Sequence, residues 1–250
     1  MAENRLRVIE KISKFREEKI KRLEAAGLDH LIIYPFSRKF SRRTATEYVR
    51  DLLVNEIGVK SLVIGYDHQF GRNREGNFEQ LIELAGIYDF KLEEIPAQEL
   101  DDVKVSSTKI RNALLQGDVK TASKYLGHDY KVSGIVVKGR QLGRELGFPT
   151  ANISVLDRYK LIPGDGVYAV RVKVNKKNFK GMLNIGYRPT VGGLFKATME
   201  VNIFEFNENI YGHYIGVEFV KRLRDEIKFD SMEELKVQLE LDKIQALNAY

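Results

Sequence analysis

Three glycines recur every fourth residue in the stretch KGRQLGRELGFPTAN, residues 138–152. Glycine permits backbone conformations closed to other residues and keeps side chains away from a ligand, so Gly139, Gly143 and Gly147 could let backbone N–H groups approach a phosphate. The same spacing also suits a solvated hairpin loop. The stretch is therefore a candidate phosphate-binding loop with an open structural alternative, and the sequence contains neither a Walker A nor a G-x-G-x-x-G pattern.

Two oxygen-bearing side chains follow these glycines. Pro149 fixes its own φ and biases Phe148 toward an extended backbone. If the chain stays extended, Thr150 and Asn152 point to one side and Ala151 to the other. A hydroxyl beside a carboxamide oxygen suits Mg²⁺, which takes few protein ligands and fills its shell with water and phosphate. The alternative is that both side chains satisfy the backbone of a local turn.

The first half of the chain alternates helical and strand-like patterns. Thr44 and Glu47 have the spacing of a capping box at a helix start. Strands that alternate with helices predict a parallel, doubly wound sheet. We expect this α/β domain to span residues 1–127. Its predicted helices are 5–26, 44–57, 77–88 and 106–118, and its predicted strands are 31–34, 61–67 and 91–95.

From about residue 131 the pattern changes to short segments in which apolar and polar residues alternate. Such strands with turn residues between them predict an antiparallel barrel or sandwich. Ser231 and Glu234 have capping-box spacing and predict the start of a terminal helix. We expect this second domain to span residues 128–250. Its clearest predicted strands are GVYAVRVKV (166–174), MEVNIFEF (199–206) and YIGVEFV (214–220).

Composition excludes several classes of protein. With no cysteine among 250 residues, the chain can have no disulfide, zinc–thiolate site or thiol nucleophile. Its formal charge is +6, but the basic residues are interleaved with acidic ones, which is typical of solvated helix faces rather than of nucleic-acid binding. No apolar run is long enough to cross a bilayer, and the first residues do not resemble a secretion signal. We expect a cytoplasmic enzyme or binding protein with no nucleic-acid or membrane partner.

The sequence KGRQLGRELGFPTANI strongly resembles the signature of the riboflavin kinase family. The resemblance covers residues 130–250, and it continues in family order through GDGVYAV, NIGYRPTVGG, MEVNIFEFNENIYG and LRDEIKFDSMEEL. Residues 1–127 resemble the adenylyltransferase module of bifunctional bacterial FAD synthetases, through GYDHQFGRNREGNFEQL and VSSTKIRNAL. The resemblance implies a nucleotidyltransferase-like Rossmann module followed by a six-stranded antiparallel β-barrel with a terminal helix.

For the second domain, the resemblance implies transfer of the γ-phosphoryl group of ATP to the ribityl 5′-hydroxyl of riboflavin, which gives FMN. Thr150 and Asn152 match the family's PTAN motif and would hold Mg²⁺ and the ATP phosphates. Glu200 matches the family's catalytic glutamate, although a strand glutamate without this match would more often be a solvated surface acid. The other matching positions are Lys138, Gly139 and Gly143 for the nucleotide, and Arg224 and Phe229 for the flavin.

For the first domain, the resemblance implies a nucleotide site that departs from the family pattern. The family's G-x-F-D-G-x-H-x-G-H stretch is missing, since His30, His68, His128 and His213 form no H-x-G-H. We therefore expect an incomplete, N-terminally truncated module and riboflavin kinase activity without competent FMN adenylylation. The residues that still match the module's middle and late motifs are Asp67, Phe70, Ser106, Ser107, Thr108 and Arg111.

Two alternatives stay open. The chain could be fully bifunctional and make FAD, or it could be a non-catalytic protein that binds a flavin or a nucleotide. The presence of Thr150, Asn152 and Glu200 together favours catalysis over binding alone. The sequence leaves the oligomeric state open.

Overall fold

The computed structural model divides the chain into two compact units, Met1–Lys104 and Val105–Tyr250. No helix in the described part of the chain is long and apolar enough to span a membrane. The structure describes residues 14–97, 99–100, 103–139, 142–157, 159–189 and 195–250.

The first unit contains a parallel pair of strands with helices packed beside it. Ser61 pairs with Lys91 and Gly65 with Ile95, which confirms the predicted parallel sheet. A short antiparallel pair, Glu99–Leu100 with Val103–Lys104, follows. The elements are α1 (Lys14–Ala25), a 3₁₀ turn (Phe40–Arg42), α2 (Ala45–Glu47) continuing as a π-helix (Tyr48–Ile57), β1 (Ser61–Gly65), a 3₁₀ turn (Arg72–Arg74), α3 (Phe78–Tyr88), β2 (Lys91–Ile95), β3 (Glu99–Leu100) and β4 (Val103–Lys104).

Local capping explains where the helices of this unit begin. Thr44 and Glu47 form the predicted capping box, in which each residue's side chain accepts a hydrogen bond from the other's backbone N–H. Asn77 caps α3 by accepting from the N–H of Gln80 at 3.0 Å. The core between these helices and the sheet contains Val49, Leu52, Leu53, Ile64, Phe70, Leu81, Leu84 and Phe90.

The predicted buried strand at 31–34 is wrong. These residues lie outside any strand, and Ile32 is 60% exposed. The ring of Tyr34 instead packs on Phe40, with ring centroids 4.7 Å apart. A short apolar run cannot be identified as a strand from hydrophobicity alone, because it needs a neighbouring strand for its backbone hydrogen bonds. The predicted helix over 5–26 is described from Lys14 to Ala25, and residues 5–13 lie outside the described part.

The second unit is a closed six-stranded antiparallel barrel with a terminal helix, as predicted. The strands close in the order Tyr214–Arg224, Lys131–Val137, Ala151–Ser154, Phe195–Ile203, Lys177–Pro189 and Gly166–Val174. The helix at Val119–Leu126 and the strand at Lys177–Pro189 were not among the predicted elements. The elements are α4 (Ser107–Leu115), α5 (Val119–Leu126), β5 (Lys131–Val137), α6 (Leu142–Glu145), β6 (Ala151–Ser154), β7 (Gly166–Val174), β8 (Lys177–Pro189), β9 (Phe195–Ile203), β10 (Tyr214–Arg224) and α7 (Met232–Leu247).

The barrel interior follows the alternation of its strands. Val170, Val172 and Val174 are buried, whereas Arg171 and Lys173 between them are exposed. Helices α4 and α5 add side chains to the same core. These helical residues are Ala113, Leu114, Val119 and Ala122.

Helix α7 covers part of the outer face of the barrel. Ser231 caps it by accepting from the N–H of Glu234 at 3.2 Å. The carboxylate of Glu234 accepts from the N–H of Asp230 at 3.3 Å, so only half of the predicted capping box is described. A second apolar cluster lies at this face, and its buried members are Phe148, Ala169, Met182, Phe204 and Ala246.

Candidate active site

A row of polar residues crosses three neighbouring strands of the barrel. Glu200 on β9 pairs with Asn152 on β6 and with Asn184 on β8. Residues paired in this way extend their side chains from the same face of a sheet. The strand neighbours Met199 and Val201 are buried in the barrel core, so the row lies on the outer face.

A cavity of about 240 Å³ lies over this row. It brings together five of the residues predicted from sequence: Gly143, Thr150, Glu200, Arg224 and Phe229. Helix α7 supplies apolar side chains to the wall. Glu200 therefore lines a cleft at the outer face of the barrel, and Asn152 lies beside it in the strand register.

A second cavity, of about 370 Å³, lies next to the first. Pro149, Thr150 and Ala151 line one part of it, and the loop 207–211 lines another. Thr150 lines both cavities. The two cavities thus offer neighbouring compartments for two small molecules.

Two of the predicted phosphate-binding glycines lie where a side chain would clash with the residues that follow in the sequence. A Cβ atom on Gly139 would lie 2.0 Å from Nδ2 of Asn152, so the absence of a side chain lets Asn152 lie against this loop. A Cβ atom on Gly143 would lie 2.4 Å from the carbonyl oxygen of Phe148. Both glycines permit a close packing of the loop on the segment that follows it. Lys138 is exposed and lies outside both cavity linings.

Asn202 holds the start of the Pro149–Asn152 segment in place. Its side chain is buried, and its Nδ2 donates to the carbonyl oxygen of Pro149 at 2.7 Å. The sequence contains a signal for this residue, because alternation along β9 places Asn202 on the same face as Glu200. Asn184 has no such local signal, since only the pairing of β8 with β9 brings it next to Glu200.

Arg224 reaches the same cavity from the end of β10. Its Nε and Nη2 donate to the two carboxylate oxygens of Asp242, at 2.8 and 2.7 Å. Its Nη1 donates to the carbonyl oxygen of Asp225 at 2.9 Å, and its guanidinium lies 5.8 Å from the ring centroid of Phe229. Asp242 was not predicted, because it is 18 residues from Arg224 and carries no motif of its own.

The residues predicted for adenylylation belong to both units. In the first unit, Asp67 is exposed, whereas Phe70 is buried with its ring stacked on His68. In the second unit, Ser106 caps α4 by accepting from the N–H of Lys109. Their roles in binding a nucleotide stay predictions. The remaining members, Ser107, Thr108 and Arg111, are exposed on α4.

No group of three or more His, Asp or Glu side chains in the described part of the chain could hold a metal ion. Thr150 and Asn152 are a different kind of donor set, because both supply neutral oxygens. Mg²⁺ commonly takes only one or two protein ligands and completes its shell with water and substrate phosphates. The side-chain oxygens of Asn152, on β6, and of Thr150, just before β6, therefore suit a Mg²⁺ ion that is also bound to phosphate.

Two protein-family models match the chain. Residues 126–250 match the riboflavin kinase (flavokinase) model, and residues 7–109 match the FAD synthetase model. The FAD synthetase match covers most of the first unit and the riboflavin kinase match covers the barrel and α7, whereas α4 and α5 fall mostly between the two matches.

Individual relatives agree with these models. The chain is 42% identical to the bifunctional riboflavin kinase/FMN adenylyltransferase of Haemophilus influenzae over 226 residues, which cover 90% of this chain and 72% of the relative. It is 39% identical to the Escherichia coli K12 protein of the same name over 231 residues, covering 92% and 72% of the two chains. A Streptococcus pneumoniae crystal structure described as a macrolide-efflux protein matches with a TM-score of 0.84 at 36% identity, covering 93% of this chain and 74% of that one.

The matched residues and the shared fold confirm the resemblance seen in the sequence. The chain belongs to the bifunctional riboflavin kinase/FMN adenylyltransferase family.

Proposed function

We propose that the second unit transfers the γ-phosphoryl group of ATP to the ribityl 5′-hydroxyl of riboflavin and so produces FMN. One observation carries this proposal: Glu200 and Thr150 line the same cavity as Arg224 and Phe229. A proton acceptor, a phosphate-side hydroxyl and the predicted flavin residues thus surround one space. Phosphoryl transfer needs these groups, because it depends mainly on positioning and on charge neutralisation.

The two neighbouring cavities support a placement for each substrate. ATP would occupy the larger cavity, between the Pro149–Ala151 segment and the loop 207–211, with its phosphates toward Thr150. Riboflavin would occupy the smaller cavity, where Phe229 and the apolar side of α7 suit a flat aromatic ring system. Since Thr150 lines both cavities, the γ-phosphate and the ribityl hydroxyl would meet at their shared wall.

In this arrangement Glu200 accepts the proton of the 5′-hydroxyl as the reaction proceeds. The hydroxyl oxygen forms a new bond to the γ-phosphorus. The bond from that phosphorus to the β–γ bridging oxygen breaks, and ADP leaves with the electron pair. Thr150 and Asn152 would hold Mg²⁺, which when bound neutralises charge on the phosphates. Glu200 then returns its proton to solvent.

The direct test is to incubate the protein with riboflavin, ATP and Mg²⁺ and to separate the flavins by chromatography. We expect FMN to appear in proportion to the ADP formed. Riboflavin that binds to the protein but stays unphosphorylated would contradict the proposal and favour the non-catalytic alternative.

A second activity, FMN adenylylation, is favoured by the FAD synthetase match over residues 7–109. We propose that the first unit takes part in this activity, in which FAD forms from FMN and ATP. Supplying FMN in place of riboflavin tests this point separately. FAD formation at a rate near that of riboflavin phosphorylation would show full bifunctionality.

A further inference from the structure

We propose that Asp242, on the terminal helix α7, is a positioning residue for riboflavin binding and acts through Arg224. This inference rests on the proposed function. Asp242 is a fully buried carboxylate, with a relative exposure of 0%. Both of its oxygens accept hydrogen bonds from Arg224, and one also accepts from Nε2 of Gln238 at 2.9 Å.

The surroundings of Asp242 make a purely stabilising role a poor explanation. A carboxylate loses its hydration when it is buried, and a buried ion pair is often no more stabilising than apolar side chains of the same volume. The next turn of α7 does use an apolar residue, Ala246, against the barrel. A charge retained at this depth is better explained by the need to hold the guanidinium of Arg224 in one orientation.

Helix α7 also has a separate anchor that does not involve the cavity. The hydroxyl of the last residue, Tyr250, donates to the carbonyl oxygen of Val170 at 2.5 Å and accepts from the N–H of Gly181 at 3.0 Å. Lys180 lies 4.6 Å from the centre of its ring. The helix is therefore held to β7 and β8 at its end independently of Asp242.

The orientation of Arg224 matters because both members of the buried pair line the cavity, and Arg224 is the more exposed of the two. Its side chain is 16% exposed, and it lines the cavity that contains Glu200. Nη1 donates to Asp225, and the guanidinium faces the ring of Phe229, so a fixed Arg224 also fixes the segment 225–229 at the cavity wall. Three of the five N–H groups of Arg224 donate to residues in the described part of the chain, namely Asp242 and Asp225. The other two can donate to the carbonyl oxygens of a flavin ring.

The test is the substitution Asp242→Asn, which keeps the shape of the side chain but removes its charge. The new amide group offers donors to a guanidinium that needs acceptors, so Arg224 should lose its fixed orientation. We expect the Kd for riboflavin, measured by the change in flavin fluorescence on binding, to rise about tenfold. The KM for riboflavin should rise with it, whereas the KM for ATP should stay unchanged.

Tyr250→Phe is the matched control, because it weakens the attachment of α7 without touching the cavity. We expect it to lower the melting temperature and to leave riboflavin binding unchanged. If Tyr250→Phe raises the Kd for riboflavin as much as Asp242→Asn does, the effect comes from the attachment of α7, and the positioning role is overturned.

A double-mutant cycle shows whether Asp242 acts through Arg224. Arg224→Lys keeps the charge but cannot donate as a fork to both carboxylate oxygens. In the Arg224→Lys background, Asp242→Asn should add almost nothing to the rise in Kd. Effects that multiply would mean that the two residues act separately, which contradicts the inference.

The outcome stays decisive if Asp242→Asn does not fold. Gln238→Ala then removes one of the three hydrogen bonds to the carboxylate, and we expect a smaller rise, about threefold, in the Kd for riboflavin. No change in this variant would overturn the inference. Wild-type protein that binds riboflavin without forming FMN would instead contradict the proposed function, and the binding measurements would still test the role of Asp242.

Discussion

Glu200 and Glu218 are both strand glutamates of the barrel, but their surroundings differ. Glu218 on β10 forms an ion pair with Lys131 at 3.8 Å and lies outside both cavities. Glu200 lies between two asparagines in the strand register and lines the cavity assigned to riboflavin. The position of Glu200 beside this cavity is the reason that we propose proton transfer for Glu200 and not for Glu218.

We expect Glu200→Gln to lower kcat for FMN formation by a factor of about 100 to 10,000, because an amide cannot accept the hydroxyl proton. The Kd values for riboflavin and ATP should change little, since the side chain keeps its size. Rates of FMN formation and fluorescence binding of riboflavin measure the two quantities. Glu218→Gln is the matched control and should retain wild-type kcat. Unchanged FMN production by Glu200→Gln would exclude this residue as the base.

Residues of the site differed in how far the sequence could predict them. Thr150, Asn152 and Glu200 stand in motifs, and strand alternation gives their direction. Asn184 and Asp242 have no comparable local pattern. They join the site only through strand pairing and through the packing of α7, which are long-range properties that a single sequence does not contain.

At the scale of elements, the glycine-rich segment before β6 acts mainly by leaving room. Gly139 has no space for a Cβ atom because Nδ2 of Asn152 would be 2.0 Å away. The obstructing atom is the end of a side chain, so an alanine could be accommodated if Asn152 moved. The fold should then survive, while a predicted Mg²⁺ ligand would be displaced.

We accordingly expect Gly139→Ala to lower kcat/KM for ATP about a hundredfold, since small displacements of positioning groups have effects of this size. Its melting temperature should stay within a few degrees of the wild type. Gly86→Ala on α3 is the control, because nothing lies within 4 Å of a Cβ atom there and alanine favours a helix. Full activity in Gly139→Ala would show that the position of Asn152 is unimportant.

The capping box of α2 predicts a pH-dependent contribution to stability. The hydrogen bond from the N–H of Thr44 lowers the pKa of Glu47 below its ordinary value of 4.5, with the Thr44 side chain as the second cause. A lowered pKa in the folded state stabilises the fold above the unfolded pKa, and this contribution disappears as the pH falls through the folded value. The effect should therefore be present at neutral pH and absent in strong acid.

Melting temperatures of wild type and Glu47→Gln, measured between about pH 3 and pH 7, check this expectation. The difference between them should be largest near neutral pH and should shrink below pH 4.5. Glu24→Gln, on the exposed side of α1, controls for the loss of one negative charge. A difference that is constant across the range would mean that the carboxylate of Glu47 does not contribute.

The predicted helices and strands match the structure best where the sequence gives a clear periodic pattern or a helix start signal. Strand β7 has the predicted bounds, 166–174, and α3 (Phe78–Tyr88) begins one residue after the predicted start at Asn77 and ends at the predicted residue. The predicted strand 31–34 failed because it depended on a short apolar run alone, without any pairing partner. Apolar content shows that a segment can be buried, but backbone pairing determines whether it becomes a strand.

At the scale of the whole molecule, the two units meet in the sequence at Lys104–Val105. The domain boundary predicted from the change in pattern was at 127–128. Helices α4 and α5 lie between these positions and contribute Leu114 and Val119 to the barrel core. The alternation of helical and strand-like patterns placed α4 and α5 in the predicted α/β domain, because helices are typical of that class. In the structure, side chains of these two helices pack in the barrel core.

The packing of α4 and α5 gives a prediction about which fragment is stable. Leu114 and Val119 are 2% and 1% exposed, and the N–H of Gly164 donates to the carbonyl oxygen of Leu114 at 2.8 Å. A fragment of residues 105–250 keeps these contacts and should fold cooperatively, with riboflavin kinase activity near that of the whole chain. A fragment of residues 128–250 lacks Leu114 and Val119. Losing the burial of these two side chains in the barrel core should lower the free energy of unfolding by about 3–6 kcal/mol.

Thermal melts of the two fragments, followed by circular dichroism, separate these outcomes. We expect the shorter fragment to melt at least about 10 °C below the longer one or to fail to fold. Replacing Leu114 with alanine in the longer fragment is the matched test, and it should destabilise the fragment by about 2–5 kcal/mol because it leaves a cavity in the shared core. Equal stability of the two fragments would mean that α4 and α5 are not part of the barrel's cooperative unit, and the boundary near residue 127 would then be the better description of the domains.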